Sequence, residues 1–336
     1  MIGRIDEQGN ELGWVRIDND PRALVAECRK AGRGAPVTIE ATYGWYWAVD
    51  ALVAEGFEVH LAHPLGMKAL RRRKRVKTDP RDAYELANLL RLGSLPKAYI
   101  APPDLRELRE LVRHRRQLVK LSTAVKASIR ALLAKHNIPL TATQLEGDTA
   151  TGLIDALVLP GTYAQRLASQ RRLMLVLADE IASTEVELHR RLAHHRGYRN
   201  LLTVKGIGPV LAAVFVAEIG DVTRFPTAGA LCCWAGLTPR HYESDKTVHR
   251  GHISKEGDTH VRWAAVEAIQ RQTEPAVKAV RDGILARRGK TARNIAKVAA
   301  ARRMLEVVYY VLRDGQARCL TAAAPHERDQ DFVQAG

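Results

Sequence analysis

Near the amino terminus, apolar and polar positions alternate: Ile2 and Ile5, then, past Asp6-Glu7-Gln8-Gly9-Asn10, Leu12, Trp14, Val15 and Ile17. A period of two on either side of a polar, glycine-containing break predicts a short β-hairpin. The period then lengthens, and Leu24, Val25 and Cys28 share one face of a helix expected over residues 21–32. Pro36-Val37-Thr38-Ile39-Glu40 reads as a buried strand that ends in an acid, followed by a helix over 43–56 and a strand over 57–62. Strands alternating with helices predict an α/β domain with parallel pairing.

Thr78-Asp79-Pro80-Arg81-Asp82-Ala83 opens a helix over residues 83–92 that Gly93 stops. Asp104, with Glu107 three residues on, is expected to cap a long helix as a capping box. Leu111, Leu118, Val125 and Leu132 recur every seven residues along it, a coiled-coil seam whose other position holds Arg115 and Ser122. A second long helix over 163–194 would return antiparallel, the two making a spacer or dimerisation arm. From Leu201 the pattern turns to compact helices. Lys205-Gly206-Ile207-Gly208-Pro209 reads as a glycine turn between two helices, whose amides suit a DNA phosphate. Apolar-faced helices are expected over 259–274 and 291–312, and a disordered tail from 321. The resulting scheme is an α/β domain over 1–101, a helical coiled-coil arm over 102–195, a mainly helical domain over 196–320 and the tail over 321–336.

Composition narrows the partners. At 336 residues and 46% hydrophobic content the chain can bury one or two cores without staples. It has no run of eighteen apolar residues and no apolar signal region at its start, so a soluble, cytoplasmic protein with no membrane partner is expected. Its four cysteines form no C-x-x-C pair, which argues against a zinc knuckle or a disulfide framework. The net charge of +15 calls for a polyanion, and with 5% aromatics, backbone contacts should outweigh base stacking. The densest charge lies in Arg71, Arg72, Arg73, Lys74, Arg75 and Lys77, a run with no acid in it that suits nucleic acid.

Two groups of residues suggest chemistry. Ser244 is expected in a basic, glycine-punctuated loop with Arg240, Lys246, His249, Arg250, His252 and Lys255, a candidate nucleophile among cations able to hold a phosphodiester. Glu40, Asp79 and Asp82 are oxygen donors suited to Mg²⁺, the last two spaced to share a helical face. The same pair also fits an ordinary helix start, with Asp79 as N-cap, Pro80 at N1 and Asp82 at N3.

Glu40-Ala41-Thr42-Tyr43-Gly44, Lys77-Thr78-Asp79-Pro80-Arg81-Asp82-Ala83, Lys205-Gly206-Ile207-Gly208-Pro209, Gly236-Leu237-Thr238-Pro239 and Gly251-His252-Ile253-Ser254-Lys255-Glu256-Gly257 occur in this order. The set resembles the insertion-sequence 110 family of transposases. That resemblance implies a RuvC-like, ribonuclease-H-type domain with a D-E-D-D carboxylate set, a coiled coil, and a carboxy-terminal transposase domain with a helix-hairpin-helix-like turn. Glu40, Asp79 and Asp82 match the last three acids and Ser244 the serine that attacks a DNA strand to form a covalent phosphoserine. Mg²⁺ on the carboxylates, donor and target DNA, a structured bridge RNA as guide, and a homo-oligomer from dimer to tetramer are implied with it. Lys205, Gly206, Gly208, Arg240, Lys246, Arg250 and Lys255 join the basic run as expected nucleic-acid contacts. The family's first aspartate would fall just ahead of Met1, so the first strand is expected to be truncated; Asp6 lies in the hairpin turn and does not match. Asp245 follows Ser244 where the family tends to have glycine. Two other readings stay open: a metal-dependent junction nuclease in which water attacks, and a truncated copy that binds nucleic acid without cutting it.

Overall fold

The computed structural model describes residues 1–316 except 33, 71–77, 140–144, 146–151, 153–155, 245–246 and 272–273; at 69–70, 241–244 and 247–250 it describes the backbone alone. The expected tail from 321 lies outside the described residues. The chain divides into two compact units, Met1–Pro102 and Pro103–Gly336.

In the first unit, strands β1 (Ile2–Ile5) and β2 (Glu11–Val15) pair antiparallel, Ile2 opposite Val15 and Gly3 opposite Trp14. The turn between them is built by Asp6, whose Oδ1 accepts the amides of Gln8 at 3.0 Å and Asn10 at 2.7 Å. The Asn10 side-chain amide donates to Oδ2, and this bond, with the main-chain ones, holds the Asp6 carboxyl below its usual range. Asp6 is thus used as an Asx-turn former, in keeping with its place outside the motif.

Helix α1 (Pro21–Arg29) starts where Asp20 accepts the Ala23 amide. Strand β3 (Val37–Glu40), helix α2 (Tyr46–Ala54) and strand β4 (Val59–Ala62) follow, and β3 runs parallel to β4 in register from Val37 opposite Val59 to Glu40 opposite Ala62. The short β5 (Lys97–Ala98) adds antiparallel to β4, and among the described residues the β1–β2 hairpin remains a separate ladder. Leu24, Val25, Cys28, Ala48, Leu52 and Phe57 pack with Val37, Ile39 and Val59 into one core. A second core of Ala62, Met67, Leu86 and Leu95 lies under α3 (Pro64–Leu70) and α4 (Asp79–Arg91). The observed class is mixed α/β with a parallel pair, as the alternation of periods indicates.

The second unit opens with α5 (Pro103–Ala134) and α6 (Gly161–Leu192). They run antiparallel, because Glu107 meets Arg191 at 3.3 Å, Arg115 meets Glu185 at 2.6 Å and Ser128 meets Arg166 at 3.1 Å. Asp104 is not the N-cap: the helix already includes Pro103, and Asp104 sits in its first turn, where a negative charge faces the positive end of the helix dipole. Of the spaced seam, Leu118 and Leu132 are buried and Leu111 and Val125 partly so. Ser122 is buried in that seam, and Arg115 is compensated by Glu185. At one end Leu108, Val112, Leu188 and Leu192 belong to the large core of the unit, so the helix pair is rooted in that core.

Around this core lie α7 (Arg196–Leu202), α8 (Pro209–Ile219), α9 (Ala228–Trp234), strands β6 (Pro239–Ser244) and β7 (Thr247–Ile253), α10 (Thr259–Glu267), α11 (Pro275–Arg288) and α12 (Arg293–Asp314). Helix α8 is buried throughout Ala212–Ile219, as expected of a helix apolar on every face. The sequence reading ran one helix from 259 to 274. The structure ends α10 at Glu267 and starts α11 at Pro275, where Pro supplies a first-turn residue with no amide to satisfy.

One polar group breaks the apolar core. Glu218 on α8 is 1% exposed, and Arg113 on α5 grips both its carboxylate oxygens at 2.8 Å. Arg109 donates to the main-chain carbonyls of Ala217 at 2.8 Å and Glu218 at 2.9 Å. His260 on α10 places Nδ1 3.3 Å from Glu218 Oε1. Burial nevertheless pushes the His260 imidazole below its ordinary value of 6.5, outweighing the pull of Glu218, so at neutral pH the ring is uncharged and the contact is not an ion pair.

Arg113→Met leaves Glu218 buried without its bidentate partner and is expected to lower unfolding free energy by about 3 kcal/mol, read from the urea midpoint at constant m-value. A second expectation concerns pH. His260 and His195, both depressed by burial, stay neutral in the folded state while the unfolded chain takes up protons below about 6.5. Stability should therefore fall as pH drops from 6.5 toward the lower folded values, and His260→Gln should flatten that fall in urea titrations at successive pH.

Candidate functional site

Glu40 ends β3 at the carboxyl edge of the parallel pair, the edge at which open α/β sheets place their ligands. Its main-chain carbonyl accepts the Thr42 amide at 2.7 Å, and Gly44, at φ +76, turns the chain into α2. Tyr43, between them, is wholly exposed. Asp79 and Asp82 stand in the first turn of α4, but one place later than the helix-start reading put them. Thr78 is the N-cap by its extended backbone, with no side-chain capping bond. Helix α4 packs on β3 and on β1, where a Cβ at Gly3 would lie 3.2 Å from Ala83 and Tyr84, so β1 carries a glycine where α4 comes close.

The elements that carry the three acids are thus neighbours, and the donors are the hard oxygens that a divalent cation prefers. In this conformation they are not gathered: among the described residues no group of three or more His, Cys, Asp or Glu is placed to hold a metal ion. Asp79 instead meets Arg16, Oδ2 to Nη2 at 3.3 Å, with both side chains largely exposed. Such a pair is worth at most about 1 kcal/mol and is easily exchanged. Arg16 had no signal in the sequence, for it lies just past β2 and reaches Asp79 only through the fold. The basic run Arg71, Arg72, Arg73, Lys74, Arg75 and Lys77 lies outside the described residues.

In the second unit, Ser244 is not in a loop but at the last paired position of a β-hairpin. Pro239 pairs with Ile253, Tyr242 with His249 and Ser244 with Thr247, leaving only Asp245 and Lys246, outside the described residues, to connect the strands. The stretch was read as a loop because its glycines and charges mask the strand period; Tyr242, Thr247 and Val248 were the available signal. Arg250 stands in β7 opposite His241.

The other end of the hairpin is closed by two motif segments. Ser254 donates to the Thr238 carbonyl at 3.0 Å, Lys255 to that of Gly236 at 3.3 Å and Asp258 to that of Trp234 at 3.3 Å. This approach leaves no room for side chains: a Cβ at Gly257, where φ is +117, would lie 1.8 Å from the Trp234 oxygen, and one at Gly236, φ +70, would lie 2.5 Å from that of Glu256. Arg262 from α10 donates to the Ala235 carbonyl at 2.9 Å, and Arg302 from α12 reaches the Thr238 hydroxyl at 3.3 Å. The hairpin therefore stands on a base tied to two core helices.

Some expected phosphate contacts have partners of their own. Arg240 pairs with Glu256 at 2.6 Å, whereas Lys255 is exposed, its backbone at φ +56. In the glycine turn, Gly206 has φ +97 and Gly208 is the N-cap of α8, but the Lys205 amide donates to the Glu274 carboxylate at 2.9 Å. A protein carboxylate holds an amide that was expected to meet DNA. Glu274 was missed because it was read as a helix end; the Glu274-Pro275 step, which disfavours helix at the residue before proline, marked the boundary.

Residues 3–138 match a transposase family model of the DEDD type, and residues 198–281 match a model described as transposase, IS116/IS110/IS902 family. A probable family 20 transposase of Pseudomonas aeruginosa is 30% identical over 235 residues, 67% of each chain. The transposase for insertion sequence element IS1111A of Coxiella burnetii is 24% identical over 273 residues, 79% of this chain and 72% of that one. The corresponding protein of IS1328 from Yersinia enterocolitica is 22% identical over 237 residues, 70% of each.

Gly257→Ala is expected to destabilise the unit by about 2 kcal/mol or more, because the added methyl meets backbone and the positive φ is strained. Thermal unfolding of the purified variant checks this; a cost below that of Gly283→Ala, where a Cβ meets nothing within 4 Å, would contradict the closed base.

Proposed function

Because the chain belongs to the IS110 family of transposases, we propose that it cuts and rejoins the DNA strands of an insertion sequence through a covalent bond between Ser244 and a DNA phosphate. The supporting observation is the position of Ser244 at the end of a short hairpin whose base is clamped by the motif glycines. A residue at such a tip can enter a nucleic-acid groove while its base stays fixed.

In the proposed step the serine oxygen attacks phosphorus. A Ser–O–P ester forms as a deoxyribose oxygen–phosphorus bond breaks, the serine proton passes to solvent and the leaving oxygen takes one up. One phosphoester replaces another, so attack by a second strand's hydroxyl reverses the step and joins new ends without an external energy source. Glu40, Asp79 and Asp82 would hold Mg²⁺ once Asp79 exchanges Arg16 for the ion. When bound, the ion would supply charge neutralisation at the phosphate. Lys255 would supply a cation for the strand at the hairpin.

The net charge of +15 supports duplex binding, and the finer family properties belong to the same proposal. These are a RuvC-like first domain, a coiled coil made from α5 and α6, a helix-hairpin-helix-like turn at 205–209, a structured guide RNA that selects donor and target, a homo-oligomer from dimer to tetramer, and work in the cytoplasm. No described helix is long and apolar enough to cross a membrane.

The test is a denaturing gel with labelled element-junction DNA, the flanking non-coding RNA and Mg²⁺. Ser244→Ala is expected to lose the covalent adduct while keeping nucleic-acid affinity; an adduct that survives the substitution moves the nucleophile elsewhere. Neutralising Arg71, Arg72, Arg73 and Arg75 together should reduce the log–log salt slope of binding by roughly 0.7–0.9 per lost phosphate contact, and an unchanged slope would make that run a bystander.

A further inference from the structure

The stretch from Gly283 to Val298, Gly-Ile-Leu-Ala-Arg-Arg-Gly-Lys-Thr-Ala-Arg-Asn-Ile-Ala-Lys-Val, carries Arg287, Arg288, Lys290, Arg293 and Lys297 and no acid. It lies beyond residues 198–281 and outside 3–138, so neither family match covers it. The structure folds it into a corner. Helix α11 ends at Arg288, Gly289 at φ +71 reverses the chain, a single 3-10 turn spans Lys290–Ala292, and α12 starts at Arg293 and packs back against α11.

Cations on either side of the corner are neutralised within the protein. Arg281 meets Asp282 at 3.2 Å, and Arg302 and Arg303 meet Glu306 at 3.5 Å and 3.0 Å. The five cations between have no carboxylate partner among the described residues, and all but the half-buried Lys297 are exposed. Arg293 and Lys297, one turn apart, stand about 6 Å apart along α12, and Arg287 and Arg288 fall in the last turn of α11. Five like charges are thereby concentrated at one corner, four of them exposed.

From this we infer that the α11–α12 corner is a docking surface for the phosphate backbone of duplex DNA, resting on the reading of the chain as a DNA transposase. A double helix presents one charge per roughly 1.7 Å of axis, dense enough to meet several of these cations at once. The run holds no Phe, Tyr or Trp, so it has no platform for unstacked bases, and single strands are the poorer fit. The contact positions the duplex and reads no sequence.

The experiment compares the full chain with a variant carrying Arg287→Gln, Arg288→Gln, Lys290→Gln and Arg293→Gln. Binding to a labelled DNA duplex of arbitrary sequence is followed by fluorescence anisotropy across a salt series. A second variant removes the same charge from scattered exposed sites, Arg22→Gln, Lys120→Gln, Lys135→Gln and Arg172→Gln. The corner variant is expected to lower the log–log slope by about two to four and to bind at least about tenfold more weakly, with unchanged thermal unfolding, while the scattered variant changes the slope by less than about one. An unchanged slope, an equal effect of both variants, or an effect confined to an RNA duplex of the same sequence overturns the inference. If the unsubstituted chain ignores duplex DNA, the proposed function falls with it; if that chain binds and only the corner variant fails to differ, this inference alone is lost.

Discussion

The second unit depends on how one buried carboxylate is neutralised. Glu218 sits on the helix most enclosed by others, where an unpaired negative charge would cost several kcal/mol. Arg113 and Arg109 both come from α5, so satisfying Glu218 sets that helix against α8. Apolar packing alone allows neighbouring helices to slide with little penalty, whereas a bidentate guanidinium fixes both register and angle. The long α5–α6 pair is thereby anchored at its Leu108 and Leu192 end, and α10, which carries Arg262 toward the hairpin base, joins the same core through Val261, Ala264 and Ala265.

The hairpin inherits its orientation from that arrangement. Backbone-to-backbone closure at Gly236 and Gly257 is short and inflexible, and its two arginine ties come from α10 and α12. Ser244 lies five residues beyond Pro239, at the far end of a two-stranded ladder.

The carboxylate set shows the opposite design. Glu40, Asp79 and Asp82 sit on packed neighbours, and like charges repel as they are drawn together. Arg16 offsets part of that repulsion at Asp79 through an exposed contact weak enough to be given up. A similar exchange is built into the glycine turn, where Glu274 holds the Lys205 amide. In both places a side chain from a distant part of the chain satisfies the group, an arginine at the carboxylate and a carboxylate at the amide.

By itself the sequence determined what local periodicity and motif chemistry can carry. It specified the β1–β2 hairpin with Asp6 in its turn, the parallel β3–β4 pair with Glu40 at its end, the two long helices, and the ordered motifs of an IS110 family transposase. It did not specify α11, nor the strand character of the Ser244 segment, because glycine and charge hide a two-residue period and a helix boundary at Glu274-Pro275 leaves no break in polarity. Tertiary structure alone decided that Arg16 meets Asp79, that Glu274 takes the Lys205 amide, and that Gly236 and Gly257 meet across the hairpin base. Each of these joins residues far apart in the chain, and their pairing follows from close packing and charge compensation in three dimensions, which no local pattern records.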